Sequence, residues 1–421
     1  MFSVNEILGI IEESRVEGSK ACLPVRQGRR VKGISTDSRT VRSGELFIPL
    51  VGPKFDGRKF IPDALKAGAL ILETKDGLKA LQAIAAYHRA KFKIPVIGIT
   101  GSVGKTTTKD MLAAILSKKM PTLKSEENFN NEIGVPLTLL RLNKKHKAAV
   151  IEMGMQKLGE IDLLANIARP TIAVITNIGE SHMAFLKSKK NIAKAKAEIF
   201  NVMDTHNYAV INQDDEYFEH LLDRSKKFGV RSKTFGIIAK ADITPKELEG
   251  INLPIPGEHN IYNALAAIAV AKILKIPNSA IKSGLESFRP STNRYDVINR
   301  EDKVKIINDT YNASPQSMSA VLKILACLPG RKIAILGDMF ELGAREKIMH
   351  KKIGELSRKL GIDYLFSVGK LSREMKADFH FASKESAIKK LRSFIRPGDR
   401  ILIKASHGMH FEEIVEALRK V

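Results

Sequence analysis

The sequence predicts an α/β protein of three domains: a small N-terminal unit over 1–94, a central parallel-sheet unit over 95–293 and a Rossmann-like unit over 294–421. Three observations predict it. From residue 95 onward, apolar strand-like runs alternate with helix-like runs, the pattern of a parallel sheet covered by helices. One strand, 96–99, passes through a glycine turn directly into Lys105-Thr106-Thr107-Thr108. At 421 residues the chain has room for two to four domains of ~100–200 residues each, and the polar stretch 289–295 reads as a linker between two of them.

Composition narrows the class. Hydrophobic content of 44% and charged content of 27% are ordinary for a soluble globular protein. No apolar run reaches the ~18 residues of a membrane span. The start, Met1-Phe-Ser-Val-Asn-Glu, lacks the basic-then-apolar layout of a signal peptide. The two cysteines, Cys22 and Cys327, lie far apart and form no metal-type pair, which fits a reducing cytoplasm. The formal charge of +23 raises the question of nucleic acid. The lysines, however, are scattered among acids, and the denser runs at 143–147 and 186–190 are short and lack aromatics. The expectation is attraction of an anionic small substrate, with no nucleic-acid partner.

In the first unit, 34–39 is a polar loop, 45–51 a short strand, 52–57 a Gly/Pro turn, 60–67 a helix, 69–72 a strand and 78–92 a helix. No catalytic set appears, so this unit is expected to recognise substrate. The central unit opens on Gly-Ser-Val-Gly-Lys-Thr at 101–106, shorter than the strict G-x-x-x-x-G-K-[ST] loop. Gly101 and Gly104 permit a tight turn and a close approach of backbone to ligand. Lys105 and Thr106 stand at a helix start, where free N–H groups favour phosphate; the lysine suits β/γ-phosphates and the threonine Mg²⁺.

The strand 148–152 ends in Glu152, an acid at the carboxyl end of a strand beside a phosphate loop, suited to Mg²⁺. The strand 171–176 leads to His182 on the same rim. A helix over 190–203 carries Lys196, which its spacing does not distinguish from a solvated lysine. A long helix opens near 257. In the third unit, strands at 304–308, 331–336, 363–368 and 400–404 alternate with helices at 315–327, 344–360, 383–394 and 410–420, with polar clusters at 308–315, 337–343 and 404–408.

Taken together, Gly-Ser-Val-Gly-Lys-Thr-Thr at 101–107, Asn-Asn-Glu-Ile-Gly-Val-Pro at 130–136, Glu-Met-Gly at 152–154, Asn-Ile-Gly-Glu-Ser-His at 177–182, Ala-Lys-Ala-Glu-Ile-Phe at 195–200 and His-Asn-Ile-Tyr-Asn-Ala-Leu-Ala at 259–266 resemble the Mur ligase family in order and spacing. The resemblance implies ATP-dependent amide-bond formation in peptidoglycan synthesis. Asp-Thr-Tyr-Asn-Ala-Ser-Pro at 309–315 and Ile-Leu-Gly-Asp-Met-Phe-Glu-Leu-Gly at 335–343 resemble the members that add D-alanyl-D-alanine to a UDP-N-acetylmuramoyl tripeptide. Two departures stand out: Ser314 where an asparagine is usual, and Lys-Ala-Ser-His at 404–407 where Lys-Gly-Ser-Arg is usual.

The resemblance also implies roles for individual residues. By it, Gly101, Ser102, Val103, Gly104, Lys105, Thr106 and Thr107 hold the ATP phosphates, with Asn263, Arg294 and Asp309 completing the nucleotide site. Thr106 and Glu152 take one Mg²⁺; His182 and Lys196, the latter as a carbamate, take a second. Lys105, Glu152, His182 and Lys196 form the implied catalytic set. Asp37, Ser38, Arg39, Asp56 and Gly57 face the UDP end of the substrate, Asn130 and Asn131 the muramoyl-peptide end, and Tyr311, Asn312 and Ser314 the dipeptide or nucleotide. A monomer in the cytoplasm is expected, with a hinge at 289–295. The alternatives are a relative that adds the third amino acid, folylpolyglutamate synthase, against which Ser-Thr-Asp-Ser-Arg at 35–39 argues, and a nucleic-acid-stimulated P-loop ATPase.

Overall fold

The computed structural model describes residues 2–14, 16 and 30–419; Cys22 lies outside them. The first sheet is small because its strands are short. Ile34–Ser35, Leu46–Phe47 and Leu70–Ile71 pair in parallel. The predicted strand 45–51 is split: its second half turns into a hairpin of Val51–Gly52 with Phe55–Asp56. Gly57 closes that turn, and a Cβ there would stand 2.6 Å from the Leu50 carbonyl oxygen, so only glycine fits. Helix Val4–Glu13 opens on a capping box between Ser3 and Glu6. Together with helix Gly77–Ala90 it supplies the apolar face that buries Ile7, Ile11, Leu46, Ile48 and Leu81.

The central sheet is wholly parallel. Its order is Arg231–Phe235, Tyr208–Asn212, Ile172–Ile175, Val96–Thr100, Ala148–Glu152, Thr122–Lys124. Strands covered on both faces must be apolar throughout, and Val96–Thr100, Ala148–Glu152 and Ile172–Ile175 are buried at every residue. Strand order reverses at Val96–Thr100, so the crevice that such sheets use for ligands opens at its carboxyl end, where the phosphate loop begins. Behind it, helix Lys105–Ser117 packs against Glu258–Ile273, which is buried without a break from Asn263 to Ala271. Gly284 of helix Asn278–Ser287 lets that helix touch Ile115, since a Cβ would collide with the Ile115 backbone.

Helices Phe218–Lys227 and Asn278–Ser287 are additions to the sequence reading. The helix read at 190–203 is an α-helix over Lys189–Ala197, tightening to a 3₁₀ turn over Glu198–Val202.

The third sheet runs Asp296–Asn299, Lys305–Asn308, Arg400–Lys404, Lys332–Gly337, Tyr364–Val368, Phe379–Phe381. All neighbours are parallel except the first pair, which is antiparallel. Helices Pro315–Ala326 and Glu346–Lys359 cover one face, and Lys384–Phe394 and Glu412–Arg419 the other. Among the described residues no helix is long and apolar enough to cross a membrane.

Candidate active site

A cleft of about 840 Å³ lies where the carboxyl ends of the central and third sheets face each other. Its floor is the phosphate loop. Gly101 (φ 152°) and Gly104 (φ 85°) adopt backbone conformations that favour glycine. A Cβ at either would run into a neighbouring side chain, Thr176 for the first and Asn263 for the second.

The segment after strand Ile172–Ile175 pins this loop. The Ser102 N–H donates to the Asn177 carbonyl (3.0 Å), the Val103 N–H to Asn177 Oδ1 (3.1 Å), and the Thr176 hydroxyl to the Val103 carbonyl (2.6 Å). The amides of Ser102 and Val103 are therefore engaged within the protein. Lys105 Nζ donates back to the Gly101 carbonyl at 2.9 Å. Burial holds its pKa below the ordinary lysine value, and nearby Arg294 adds to this against the pull of Glu152.

Thr106 and Glu152 are joined directly: Thr106 Oγ1 donates to Glu152 Oε2 at 2.8 Å, while Asn130 Nδ2 donates to Oε1 at 2.9 Å. Asn131 plays a local part, its Oδ1 accepting the N–H groups of Ile133 and Gly134 at the start of helix Gly134–Leu139. One turn beyond Lys105, Lys109 is only 1% exposed, with Nζ 3.8 Å from Glu152 Oε2 and 3.7 Å from Asp110 Oδ1. The sequence reading passed over it. The i, i+4 spacing from Lys105 was the available signal, because it puts both lysines on one helix face.

Lys196 is also 1% exposed and close enough to Lys105 to feel its charge, though it does not line the cleft. Burial, and secondarily the charge of Lys105, push its pKa well below the ordinary lysine value, so the amine favours its uncharged form. His182 takes a left-handed backbone (φ 64°) and lines the cleft, with Nδ1 2.7 Å from Glu341 Oε2 of the third unit. Glu341 is a second residue the sequence reading left unassigned.

Among the described residues no three His, Cys, Asp or Glu side chains converge closely enough to hold a metal by themselves. A cation here would draw on the Thr106 hydroxyl, single oxygens of Glu152, His182 and the phosphates of a nucleotide. That mixed, partly substrate-borne set suits Mg²⁺.

The third unit supplies the opposite wall. The Arg294 guanidinium stacks on Tyr311 at 3.8 Å from the ring centre, and its buried Nε has no hydrogen-bond partner. A buried guanidinium N–H left open on a cleft wall is suited to an anion. Asp309 is held from two sides, by buried Lys404 at Oδ2 and by the Tyr295 N–H at Oδ1 (3.1 Å). Lys404 Nζ also donates to the Asn312 carbonyl at 2.7 Å, and so fixes the loop 309–312. Ser314 caps helix Pro315–Ala326, accepting the Ser317 N–H. His407 packs its ring 5.8 Å from that of Tyr311. Asn263 accepts from Thr108 (3.3 Å) and donates to Asn260 (3.2 Å), tying two helices beneath the loop.

The cleft gathers residues 102–107, Asn130, Asn131, Glu152, His182, Asn263, Arg294, Asp309, Tyr311, Asn312 and Ser314. It does not include Gly101 or Lys196, nor Asp37, Ser38 and Arg39 beside the first sheet, nor Asp56 and Gly57 at the end of the hairpin. There the charges pair locally, Arg39 with Asp37 (2.7 Å) and Arg58 with Asp56 (2.8 Å). Those arginine contacts hold both carboxyls below the usual range, Asp56 at about 2.

Three family models match the chain: "Mur ligase family, catalytic domain" over 30–119, "Mur ligase middle domain" over 99–271, and "Mur ligase, glutamate ligase domain" over 293–407. Curated relatives named UDP-N-acetylmuramoyl-tripeptide–D-alanyl-D-alanine ligase include those of Synechocystis sp. (38% identical, covering 92% of each chain) and Bacillus subtilis (36%, covering 92% of this chain and 93% of the relative). Among solved structures, MurF from Acinetobacter baumannii superposes with a TM-score of 0.87 at 30% identity over 94% of this chain and 95% of that one. MurF from Thermotoga maritima in complex with ADP does so with a TM-score of 0.82 at 26% identity over 94% and 99%. Matched across all three of its units, and aligned with these relatives over nine-tenths of its length, the chain belongs to the Mur ligase family.

Proposed function

We propose that this protein is an ATP-dependent amide ligase that joins D-alanyl-D-alanine to the free carboxylate of a UDP-N-acetylmuramoyl tripeptide, building a peptidoglycan precursor. The observation that carries this reading is a single cleft in which the phosphate loop, Glu152 and His182 face Arg294, Asp309 and Tyr311 from another unit. Residues 1–94 take the UDP end of the substrate, through Asp37, Ser38, Arg39, Asp56 and Gly57. Residues 95–293 take ATP, and 294–421 take the dipeptide and close on the nucleotide. The enzyme acts as a monomer in the cytoplasm, without nucleic acid.

In the first step a carboxylate oxygen of the tripeptide attacks the γ-phosphorus. The bond to the bridging oxygen breaks, ADP leaves and an acyl phosphate forms. In the second, the dipeptide amine attacks the acyl carbon and gives up a proton. The C–O bond to phosphate breaks and the amide remains. Little covalent chemistry falls to the protein, whose task is alignment and neutralisation of charge. Lys105 leaves the Gly101 carbonyl for the β- and γ-phosphates, and Arg294 meets the phosphate oxygens from the other wall.

Magnesium, when bound, neutralises those oxygens and holds them in line; Thr106 and Glu152 would hold one ion, and His182 and Lys196 another. The uncharged Lys196 amine can add CO₂, forming an N–C bond and losing a proton, which gives an anionic ligand where an ammonium would repel a cation.

Phosphate release measured with the UDP-tripeptide, with D-alanyl-D-alanine and with both tests the reading. Release only when both are present is expected; release without one of them, or stimulated by DNA or RNA instead, overturns it. Lys196→Ala should abolish the activity, with partial recovery on adding a short-chain carboxylic acid. Full activity of that variant overturns the carbamate.

A further inference from the structure

We propose that Glu341 is a positioning residue for His182: the third unit sets its carboxylate on Nδ1, fixing the ring proton there and leaving the lone pair of Nε2 for the phosphate end of the cleft. The inference rests on the role given to His182 above, and it assigns a task to a loop that was so far only a family marker.

The loop after strand Lys332–Gly337 is built to present this one side chain. Asp338 accepts the N–H groups of Lys370 (3.1 Å) and Ser372 (2.6 Å). The Met339 N–H donates to His350 Nε2 (2.9 Å) and the Phe340 N–H to Ser406 Oγ (2.9 Å). With these anchors made, Glu341 is held at φ 63°, a strained conformation for a residue with a side chain. Opposite it stands His182, also left-handed at φ 64°. Two strained residues on separate units meet side chain to side chain.

Backbone contacts lock the meeting. The Ala184 N–H donates to the Glu341 carbonyl (3.2 Å), and Gly343 lies so close to Ala184 that a Cβ would stand 3.1 Å from its Cα. The two carboxylate oxygens are divided between neighbours: Oε2 on His182 at 2.7 Å, and Oε1 accepting from Gln156 Nε2 at 3.4 Å. A carboxylate on one imidazole nitrogen selects the tautomer whose other nitrogen can ligate, and raises its basicity. The contact stands off the line of an ideal N–H···O bond, as catalytic contacts do before substrate tightens them. Because the carboxylate and the imidazole come from different units, the ring is set only when the units close.

The plainer role would be a tether between units, and the neighbouring pair Arg345–Glu180 (2.8 Å) tells the two apart, since it spans the same gap without touching His182. The test compares wild type, Glu341→Ala, Glu341→Gln and Arg345→Ala, with the ring nitrogens of ¹⁵N-labelled histidine read by NMR, with and without a non-hydrolysable ATP analogue. His182→Gln assigns the signal. Wild type and Arg345→Ala should show His182 protonated at Nδ1, and Glu341→Ala should lose that preference. Mn²⁺ binding in the presence of ADP, followed by electron paramagnetic resonance, should weaken about tenfold in Glu341→Ala, less in Glu341→Gln, and not in Arg345→Ala. An unchanged His182 signal in Glu341→Ala with and without the analogue, or equal Mn²⁺ loss in Arg345→Ala, overturns the proposal. Neither readout depends on turnover, so failure of the ligase reading would show separately, as a wild type inactive on both substrates.

Discussion

Where the first unit meets the central one, helix Gly77–Ala90 lies against helices Gly134–Leu139 and Glu160–Ala168, with Ile133, Leu137 and Leu140 joining the first unit's apolar cluster. Buried Arg89 directs its guanidinium to three carbonyls, those of Ala168 (2.8 Å), Phe92 (2.7 Å) and Arg169 (3.2 Å), and the His88 Nε2–H donates to the Leu142 carbonyl (2.9 Å). Where the central unit meets the third, the side-chain contacts are mostly polar. Glu341 meets His182 with its side chain and the Ala184 N–H with its carbonyl, Arg345 meets Glu180, and in the linker the Ser291 hydroxyl makes a short hydrogen bond to Asp110. A joint of apolar packing and buried carbonyl contacts resists shear, because partial opening strands groups that water cannot reach. A joint of single polar contacts exchanges them for water at little cost. The difference makes the second joint the weaker of the two.

Four measurements bear on that contrast. The largest effect belongs to Arg89→Met, which strands the three carbonyls and should cost about 4 kcal/mol in urea unfolding; a loss below about 1 kcal/mol would erase the distinction between the joints.

Next comes His259, at the second joint, where burial pushes its pKa down to about 4, with Asp309 opposing and Lys404 adding. Its folded value lies below the unfolded ~6.5. As pH falls through 6.5 the unfolded chain takes the proton first, so stability drops between pH 6.5 and 4 and is unaffected above. The ceiling is about 3 kcal/mol at 1.36 kcal/mol per unit. His259→Gln should flatten that part of the stability profile, and an unchanged profile would show that another group sets it.

Ser291→Ala, which removes the linker's hydrogen bond to Asp110 while leaving the Lys109 and Lys124 contacts, should cost about 1 kcal/mol and shift kcat and KM together, as hinge changes do. Arg345→Ala should be smallest, about 0.5 kcal/mol, and its effect should vanish in high salt.

The sequence made the central sheet legible because strands covered on both faces leave unbroken apolar runs, as at 148–152 and 172–175. The first sheet was harder: two-residue strands carry almost no periodicity. Helix Phe218–Lys227 buries only Leu221 and Ser225 of its ten residues, too few to set a helical period in the sequence. At the site, Lys105, Thr106 and Glu152 were readable because a loop, a helix start and a strand end fix their direction locally. Lys196 had a role only through family resemblance, since its distinction is burial, which spacing does not report. Glu341, Arg89 and Lys404 act on partners far away in sequence, at 182, 168 and 309. No local pattern encodes such pairs.

The antiparallel strand Asp296–Asn299 follows the linker and lies along Lys305–Asn308. It is the one strand of its sheet that runs against the others, and three of its four residues are exposed. Its consequence concerns self-association. Without it, Lys305–Asn308 would present open N–H and C=O groups at a sheet margin, an invitation to another chain. The strand therefore serves as a selvage, woven in directly after the linker. A protein cut after residue 299 should aggregate where one cut before 294 stays dispersed, so the place where the last unit can be separated is set by the margin it must keep covered.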